Sequence, residues 1–455
     1  MTELRPLTRR GLRAPRLRHP AQYIVVGFGA TVAVGTGLLL LPVARAGAGT
    51  GGASLLQALF TSTSAVCLTG LITVDTPVFW SGFGHAVILV LIQIGGFGIM
   101  AAATLLGLLV SHRLGLRTRL NAVAETKASG ISDVRRLLFA VARTTLLFEA
   151  TAVVVLSLRF ALAYDEAPAR ALWLGAFHSV SAFNNAGFVL FSDNLIGFAS
   201  DPVITAAICV LVVAGGLGFP VLFELRRAWR APRTWTLHTK ITTTTTAVLF
   251  VVGIVGFTAL EWRNTLSGLS PGGKAVAGVF QGVQPRSSGF NSIPSGELNP
   301  ETLLLTDVLM FIGGGSASTA GGIKVTTFSL LLFVLISEIR GDESTTAFNR
   351  RVPREAQRQA LTVALLAVAV VVGATGVLML LTEFSLDQVL FEVISAFATV
   401  GLSTGITAQV GTAGQLLLIA LMFVGRLAPV TLASALALRS RPRLYDPPYE
   451  RPIIG

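Results

Sequence analysis

At 455 residues, with 52% hydrophobic and only 13% charged content and a mean hydropathy of +0.72, the chain is not a soluble globular protein. Its net charge of +12 would suit nucleic acid, but 26 of the 35 Lys and Arg sit at the two ends and in every second connection between apolar runs. That is the positive-inside pattern of a polytopic membrane protein, and it excludes a nucleic-acid face. Only Cys67 and Cys209 are present, both in apolar surroundings, and the five histidines are scattered, so neither a disulfide framework nor a Cys/His metal cluster is expected.

Residues 1–20 carry six arginines and read as a cytosolic basic segment. The apolar run 21–43 ends at Ala44-Arg45-Ala46, which looks like a signal-peptide cleavage site. The run is the length of a full span, whereas signal cores are roughly 7–15 residues, so a retained helix is expected. From there the chain divides into four units of the same kind. Repeat 1 (21–110) has spans near 21–43 and 84–110, with a half-helix near 54–66 leading into SAVCLTGLITVD (64–75). A basic linker, 111–136, follows. Repeat 2 (137–224) has spans near 137–164 and 201–224, with a half-helix near 170–183 leading into SAFNNAGFVLFSD (181–193). After the linker 225–240, repeat 3 (241–337) has spans near 241–262 and 301–337, with a half-helix near 272–284 leading into QPRSSGFNSI (284–293). After the linker 338–358, repeat 4 (359–438) has spans near 359–383 and 412–438, with a half-helix near 386–398 leading into SAFATVGLSTGIT (395–407). Residues 439–455 form a basic C-terminal segment.

Each quoted loop carries a glycine in a small polar break: Gly70, Gly187, Gly289 and Gly401, spaced 117, 102 and 112 residues apart. A second landmark follows each. Gly95-Gly96-Phe97-Gly98 begins 25 residues after Gly70, and Gly215-Gly216-Leu217-Gly218 begins 28 after Gly187. Gly313-Gly314-Gly315 begins 24 after Gly289, and Gly425-Arg426 begins 24 after Gly401. Two spans per unit return the chain to the same side, so the copies share one orientation. The expected fold is an all-α polytopic membrane protein with four parallel, pseudo-symmetric helix–pore-loop–helix repeats around a central ion pore.

The loops suit a cation. A dehydrated ion in a bilayer needs oxygen ligands, and backbone carbonyls supply them without net charge. Glycine permits the dihedrals that turn carbonyls inward, and the negative end of each half-helix dipole favours positive charge. The candidate cation-binding residues are Cys67, Leu68, Thr69 and Gly70; Asn184, Asn185, Ala186 and Gly187; Arg286, Ser287, Ser288 and Gly289; and Ala398, Thr399, Val400 and Gly401. Gly95, Gly96, Gly98, Gly215, Gly216 and Gly218 read instead as positions where helices approach closely.

The stretch GGGSASTAGGIK (313–324) interrupts the second span of repeat 3. Five glycines with Ser316, Ser318 and Thr319 make no stable lipid-facing helix, so this break should line the cavity below the loops. A phosphate loop is excluded, because Ile323 separates Gly322 from Lys324 and Val325 follows. The candidate cavity-lining residues of this break are Gly313, Gly314, Gly315, Ser316, Ser318, Thr319, Gly321, Gly322 and Lys324, with Arg426 set against them by the repeat register. Arg426 lies in an otherwise nearly uncharged run, at the position held by Gly96, Gly216 and Gly314 in the other repeats. It reads as a barrier against the glycine-rich break, or alternatively as half of a salt bridge with Asp307 or Glu392. Glu392 has a structural and a permeation reading open, His178 a packed and a proton-carrying one, and Glu149 no assigned role.

These stretches resemble the Trk/Ktr/HKT superfamily of potassium transporters, and most of all its KtrB-type membrane subunits. The matching text is TSTSAVCLTGLITVDT (61–76), FHSVSAFNNAGF (177–188), PRSSGFNS (285–292), GGGSASTAGGIKVTTF (313–328) and SAFATVGLSTGIT (395–407), in order and over nearly the whole chain. The resemblance implies that Gly70, Gly187, Gly289 and Gly401 are selectivity-filter glycines and that 313–324 is an intramembrane gating loop. A serine at the first of these glycines marks a sodium-selective branch, so Gly70 implies potassium. Ser287-Ser288 stands where Thr-Ala is commoner, which leaves fine selectivity open. The resemblance further implies a homodimer in the bacterial cytoplasmic membrane, both termini cytosolic, on a ring of nucleotide-binding KtrA-type subunits. The basic linkers 111–136, 225–240 and 338–358, with the C-terminal segment, would meet that ring, and anionic lipid. No cofactor and no enzymatic activity are expected; potassium is cargo, and sodium stands open as activator or coupling ion. The rival readings are a sodium-conducting member of the superfamily and a secondary transporter with a midplane site. The second usually shows inverted rather than parallel repeats.

Overall fold

The computed structural model describes residues 20–47, 52–113 and 131–438. The basic segment 1–19, most of the first linker (114–130) and the C-terminal segment 439–455 lie outside the described residues, and so do the expectations placed on them.

The chain is helical nearly throughout. Its long helices are α1 (Pro20–Leu39), α3 (Gly82–Arg113), α4 (Ile131–Ala163), α8 (Leu237–Glu261), α12 (Arg354–Leu381) and α14 (Gly411–Leu438). Its short inner helices are α2 (Leu55–Cys67), α5 (Pro168–Phe183), α9 (Pro271–Val283) and α13 (Leu386–Phe397). Between these lie α6 (Pro202–Leu217), α7 (Phe219–Ala228), α10 (Pro300–Phe311) and α11 (Val325–Arg340). The short helices run 12 to 16 residues. At 1.5 Å per residue they reach only about 18–24 Å, less than a hydrocarbon core of about 30 Å.

Local sequence explains where these short helices start. Ser54 accepts from the Gln57 amide, and Gln57 Oε1 accepts from the Ser54 amide, which closes a capping box at α2. Ser270 caps α9, and proline opens α5 and α9.

Among the described residues six helices are long and apolar enough to cross a membrane, or seven if α6 and α7 count as one span. The expected span 201–224 is not straight: α6 and α7 meet at 104° across Gly218. The hydropathy of this segment is continuous, so nothing in the apolar pattern marks the bend. Gly218 has φ 90°, Pro220 opens α7 behind it, and the bend lies against the 313–324 break. The sixth of the eight expected spans, 301–337, is interrupted as expected, between α10 and α11.

Polarity is inverted relative to a soluble domain. Leu162 and Leu380 are 80% and 88% exposed on the outer faces, whereas Ser64, Asn184, Glu392 and Arg426 are buried. An apolar exterior around polar contents is what a lipid solvent requires. The connection from α11 to α12 holds a small hairpin, Thr346–Ala347 paired with Arg350–Arg351, whose Ala347 packs with Ile241 and Val352.

Candidate functional site

The four short helices end in the four glycine loops, and the loops meet in a closed ring. A Cβ on Gly70 would lie 2.4 Å from Ala186 O; on Gly187, 2.6 Å from Ser288 O; on Gly289, 2.7 Å from Val400 O; and on Gly401, 1.9 Å from Thr69 O. Each of these carbonyls belongs to the residue just before the next glycine, so the order 1-2-3-4 returns to 1. The glycines have φ of 87°, 71°, 58° and 97°. No L side chain fits such a conformation against a neighbouring backbone.

Three of the four helices leave their last turn by a left-handed residue. Leu68, Asn185 and Thr399 hold φ of 58°, 57° and 48° two positions before their glycines. Serines fix this geometry. Ser64 Oγ donates to Leu71 O at 2.8 Å and accepts from Gly70 N at 3.0 Å. Ser181 Oγ donates to Phe188 O at 2.8 Å, and Ser395 Oγ accepts from Gly401 N at 3.0 Å. The third loop has Val283 at that place, and there the Ser287 and Ser288 amides both donate to Gln284 O. These serines escaped the reading by residue type, although a Ser-Ala pair precedes three of the four glycines by six residues.

Residues after the glycines line a cavity of about 490 Å³ that touches Gly70, Gly187, Gly289 and Gly401. Asp75, Asp193 and Glu297 line it too, three carboxylates the sequence reading did not single out. Ser192 Oγ donates to Asp75 Oδ2 at 2.6 Å. The residues before the glycines face the other way. Asn184 Nδ2 donates to Glu149 Oε1 at 3.1 Å and to Gln93 Oε1 at 3.0 Å, which gives Glu149 a structural place behind loop two. Asn185 Nδ2 donates to Thr319 Oγ1 at 2.7 Å. Both amide nitrogens are thus turned from the cavity. The Thr69, Ser287 and Thr399 hydroxyls are buried without partners among the described residues.

The 313–324 break lies directly against these loops. Its ends clasp each other: Gly313 N donates to Ile323 O and Ile323 N to Phe311 O. It is zipped to the end of α6 by Gly315 N to Gly216 O at 2.8 Å and Thr319 N to Gly215 O at 3.1 Å. A Cβ on Gly321 would meet Ala398 O at 2.1 Å. Arg426 Nη1 donates to Thr319 O at 2.6 Å, so the arginine reaches the break as the repeat alignment expected. Among the described residues the ion pairs are Arg159–Asp201 and Arg170–Glu166, so the salt bridge of Arg426 with Asp307 or Glu392 is not formed. Lys324 Nζ donates to Ala320 O at 2.5 Å.

The second landmarks repeat in space. A Cβ on Gly95 would lie 2.1 Å from Val66 O, on Gly215 2.0 Å from Phe183 O, and on Gly425 1.8 Å from Phe397 O. Each of these carbonyls lies four residues before a ring glycine. Close packing therefore holds for Gly95, Gly96, Gly215 and Gly218; Gly98 meets only Phe28 at 3.6 Å and Gly216 only Asn185 Nδ2 at 3.8 Å, ordinary contacts. His178 is packed: its Nε2 accepts from Leu190 N, its Nδ1 donates to Leu174 O at 2.7 Å, and Phe191 stacks on its ring. Glu392 accepts a hydrogen bond from the Thr407 hydroxyl, tying the outer limb of loop four to α13.

The family model described as "TrkH: Cation transport protein" matches residues 7–441. The chain is 37% identical over 433 residues to Ktr system potassium uptake protein B of Bacillus subtilis (strain 168), covering 94% of this chain and 95% of that one. It is 38% identical over 421 residues to Ktr system potassium uptake protein B of Vibrio alginolyticus, covering 92% and 91%. The crystal structure of the potassium transporter TrkH from Vibrio parahaemolyticus superposes with a TM-score of 0.70 over 95% of this chain and 87% of that one. At 18% identity this likeness speaks for the fold alone.

Proposed function

The chain belongs to the TrkH cation transport family, and we propose that it takes up potassium through the ring of four glycine loops, under the control of the 313–324 break. Potassium uptake itself follows from the family and from relatives that match over more than nine tenths of the chain. The observation that carries the proposed route is the closed ring, in which every loop glycine abuts the carbonyl before the next one.

The geometry supports this route. A cation in the 490 Å³ cavity is held near Asp75, Asp193 and Glu297, with the four short helices aiming their negative C-terminal ends at the ring. Backbone carbonyls around Gly70, Gly187, Gly289 and Gly401 replace its hydration shell. Beneath them the break and the Arg426 guanidinium obstruct the way. A buried arginine costs about 2.5–3.5 kcal/mol on insertion scales, and a single bond to Thr319 O holds it where a passing cation is repelled. Opening requires the break to leave Arg426 and the end of α6.

Control by a cytosolic KtrA-type subunit belongs to the same proposal, since the relatives are named as parts of a Ktr system. The linkers 225–240 and 338–358 are the proposed contacts, with anionic lipid as their other neighbour. A homodimer with cytosolic termini in the bacterial cytoplasmic membrane completes the picture. It rests on the resemblance, and a detergent mass measurement giving a monomer that retains flux after reconstitution would remove it. Potassium uptake in a transporter-deficient strain, with and without a co-expressed regulatory subunit, tests the whole. Rubidium and sodium fluxes measured alongside separate potassium preference from sodium conduction.

A further inference from the structure

The four repeats differ in how the second helix meets its own loop. In repeats 1, 2 and 4 the contact is backbone on backbone: Gly95 on Val66 O, Gly215 on Phe183 O and Gly425 on Phe397 O. Such contacts are fixed, because no side chain can rotate out of them. Gly313 holds the same place in repeat 3, but its nearest neighbours are Gly321 and Gly322, inside the break itself. The gap to loop three is crossed by a side chain instead. Arg286, three residues before Gly289, donates from Nη2 to Gly313 O at 2.6 Å.

The corresponding residues of the other loops are Cys67, Asn184 and Ala398, none of them charged. The charge therefore appears only in repeat 3, whose second span carries the 313–324 break. Arg286 is 3% exposed, as Arg426 is. Both donate one η N–H to a carbonyl of the break at 2.6 Å. Both leave two further nitrogens, Nε and one η nitrogen, without an acceptor among the described residues. The Arg286 guanidinium also lies 5.5 Å from the centre of the Phe250 ring on α8. Between Arg286 and the break there is one charge-assisted bond, to a backbone carbonyl, so the contact can part without breaking a second bond between them.

We propose that Arg286 is a positioning residue that latches the start of the break to loop three, opposite the hold of Arg426 on Thr319. The break is thereby held at two points, Gly313 and Thr319, by arginines from two different repeats. This rests on the gating reading of the break and adds to it. Because one latch is part of a ring loop, release of the break removes a support from loop three, so opening and the shape of the ring are linked.

The test reads the position of the break directly. Ser316→Cys places a thiol in the break, and its modification rate by a small cationic thiol reagent is measured in membranes. The protein without Ser316→Cys serves as blank for Cys67 and Cys209. Arg286→Gln should raise the modification rate about tenfold or more, the scale of losing one charge-assisted hydrogen bond. Arg286→Lys keeps a charged donor and should bring the rate back toward the parent. If the Gln variant does not accumulate, Arg286→Met, which removes the donor but fills the apolar site, carries the same test. An unchanged rate in an accumulated Gln or Met variant overturns the latch, whatever happens to flux. A partial deletion within 313–324 keeps the two readings apart. If the deletion raises flux and the Arg286 variants leave the rate unchanged, the latch alone fails. If the deletion does not raise flux, the gating reading fails first.

Discussion

Replacing Gly70 by serine perturbs the ring at one defined point. Gly70 sits at φ 87°, where a residue with a Cβ is strained by about 1–2 kcal/mol. Its new Cβ would lie 2.4 Å from Ala186 O and 3.1 Å from Gly187 Cα, both backbone atoms of the next loop. Ordinary contact starts near 3.4 Å, so loop two must retreat by roughly 1 Å in a close-packed interior. The retreat moves a carbonyl assigned to ion coordination. A change of 1.4 kcal/mol in the relative cost of seating potassium and sodium is a factor of ten. The expected result is a fall of about tenfold or more in potassium preference over sodium, read from paired potassium, rubidium and sodium uptake at matched protein level. Gly268→Ala is the control, since its Cβ would meet nothing within 4 Å. Wild-type selectivity in an accumulated Gly70→Ser protein would refute the assignment of that loop.

Three further outcomes are expected. Deleting several residues within 313–324 should raise potassium flux and weaken its dependence on a regulatory subunit; unchanged flux in a folded deletion protein counts against gating. Arg426→Ala should increase flux if the guanidinium is a barrier, whereas loss of protein or flux would assign it a structural role. Asp201 lies just ahead of α6, where burial favours its neutral form but is outweighed by hydrogen bonds from Tyr164, Arg159 and the Ile204 and Val203 amides, leaving its carboxyl below the ordinary value. That stabilisation is present above the unfolded carboxylate value of about 3.9 and is lost as pH falls through the lower folded one. Asp201→Ala should therefore lower the thermal midpoint in detergent at pH 7, by an effect on the order of 1–3 kcal/mol. The gap to the parent should close in acid, and a pH-independent gap would refute the reasoning.

Much of this was legible in the residues because membrane depth punishes exceptions. A glycine in a polar break between apolar runs has few other uses, so Gly70, Gly187, Gly289 and Gly401 stand out, as does the glycine-rich break. The register of the second landmarks was enough to bring Arg426 to the break. What escaped depends on partners far away in sequence. The bend at Gly218 has no hydropathy signature, and the residues it packs against, Ser316 and Ala317, lie about a hundred residues on. Arg286 looks like one more loop residue until Gly313 is placed beside it. Glu149 gains a role only when Asn184 and Gln93 are brought to the same point. The serines at 64, 181 and 395 were visible as a repeat, but their use lies in hydrogen bonds that close only once the loop has turned.

The central claim, that the ion passes through the ring of Gly70, Gly187, Gly289 and Gly401, is tested most directly by locating the ion. An experimental structure of the protein soaked in thallium, an electron-dense stand-in for potassium, would show it by anomalous scattering. The account predicts density on the axis of the ring, among the carbonyls of Thr69, Ala186, Ser288 and Val400, lost when sodium replaces thallium. Density absent from the ring and bound instead at another place among the helices would contradict it.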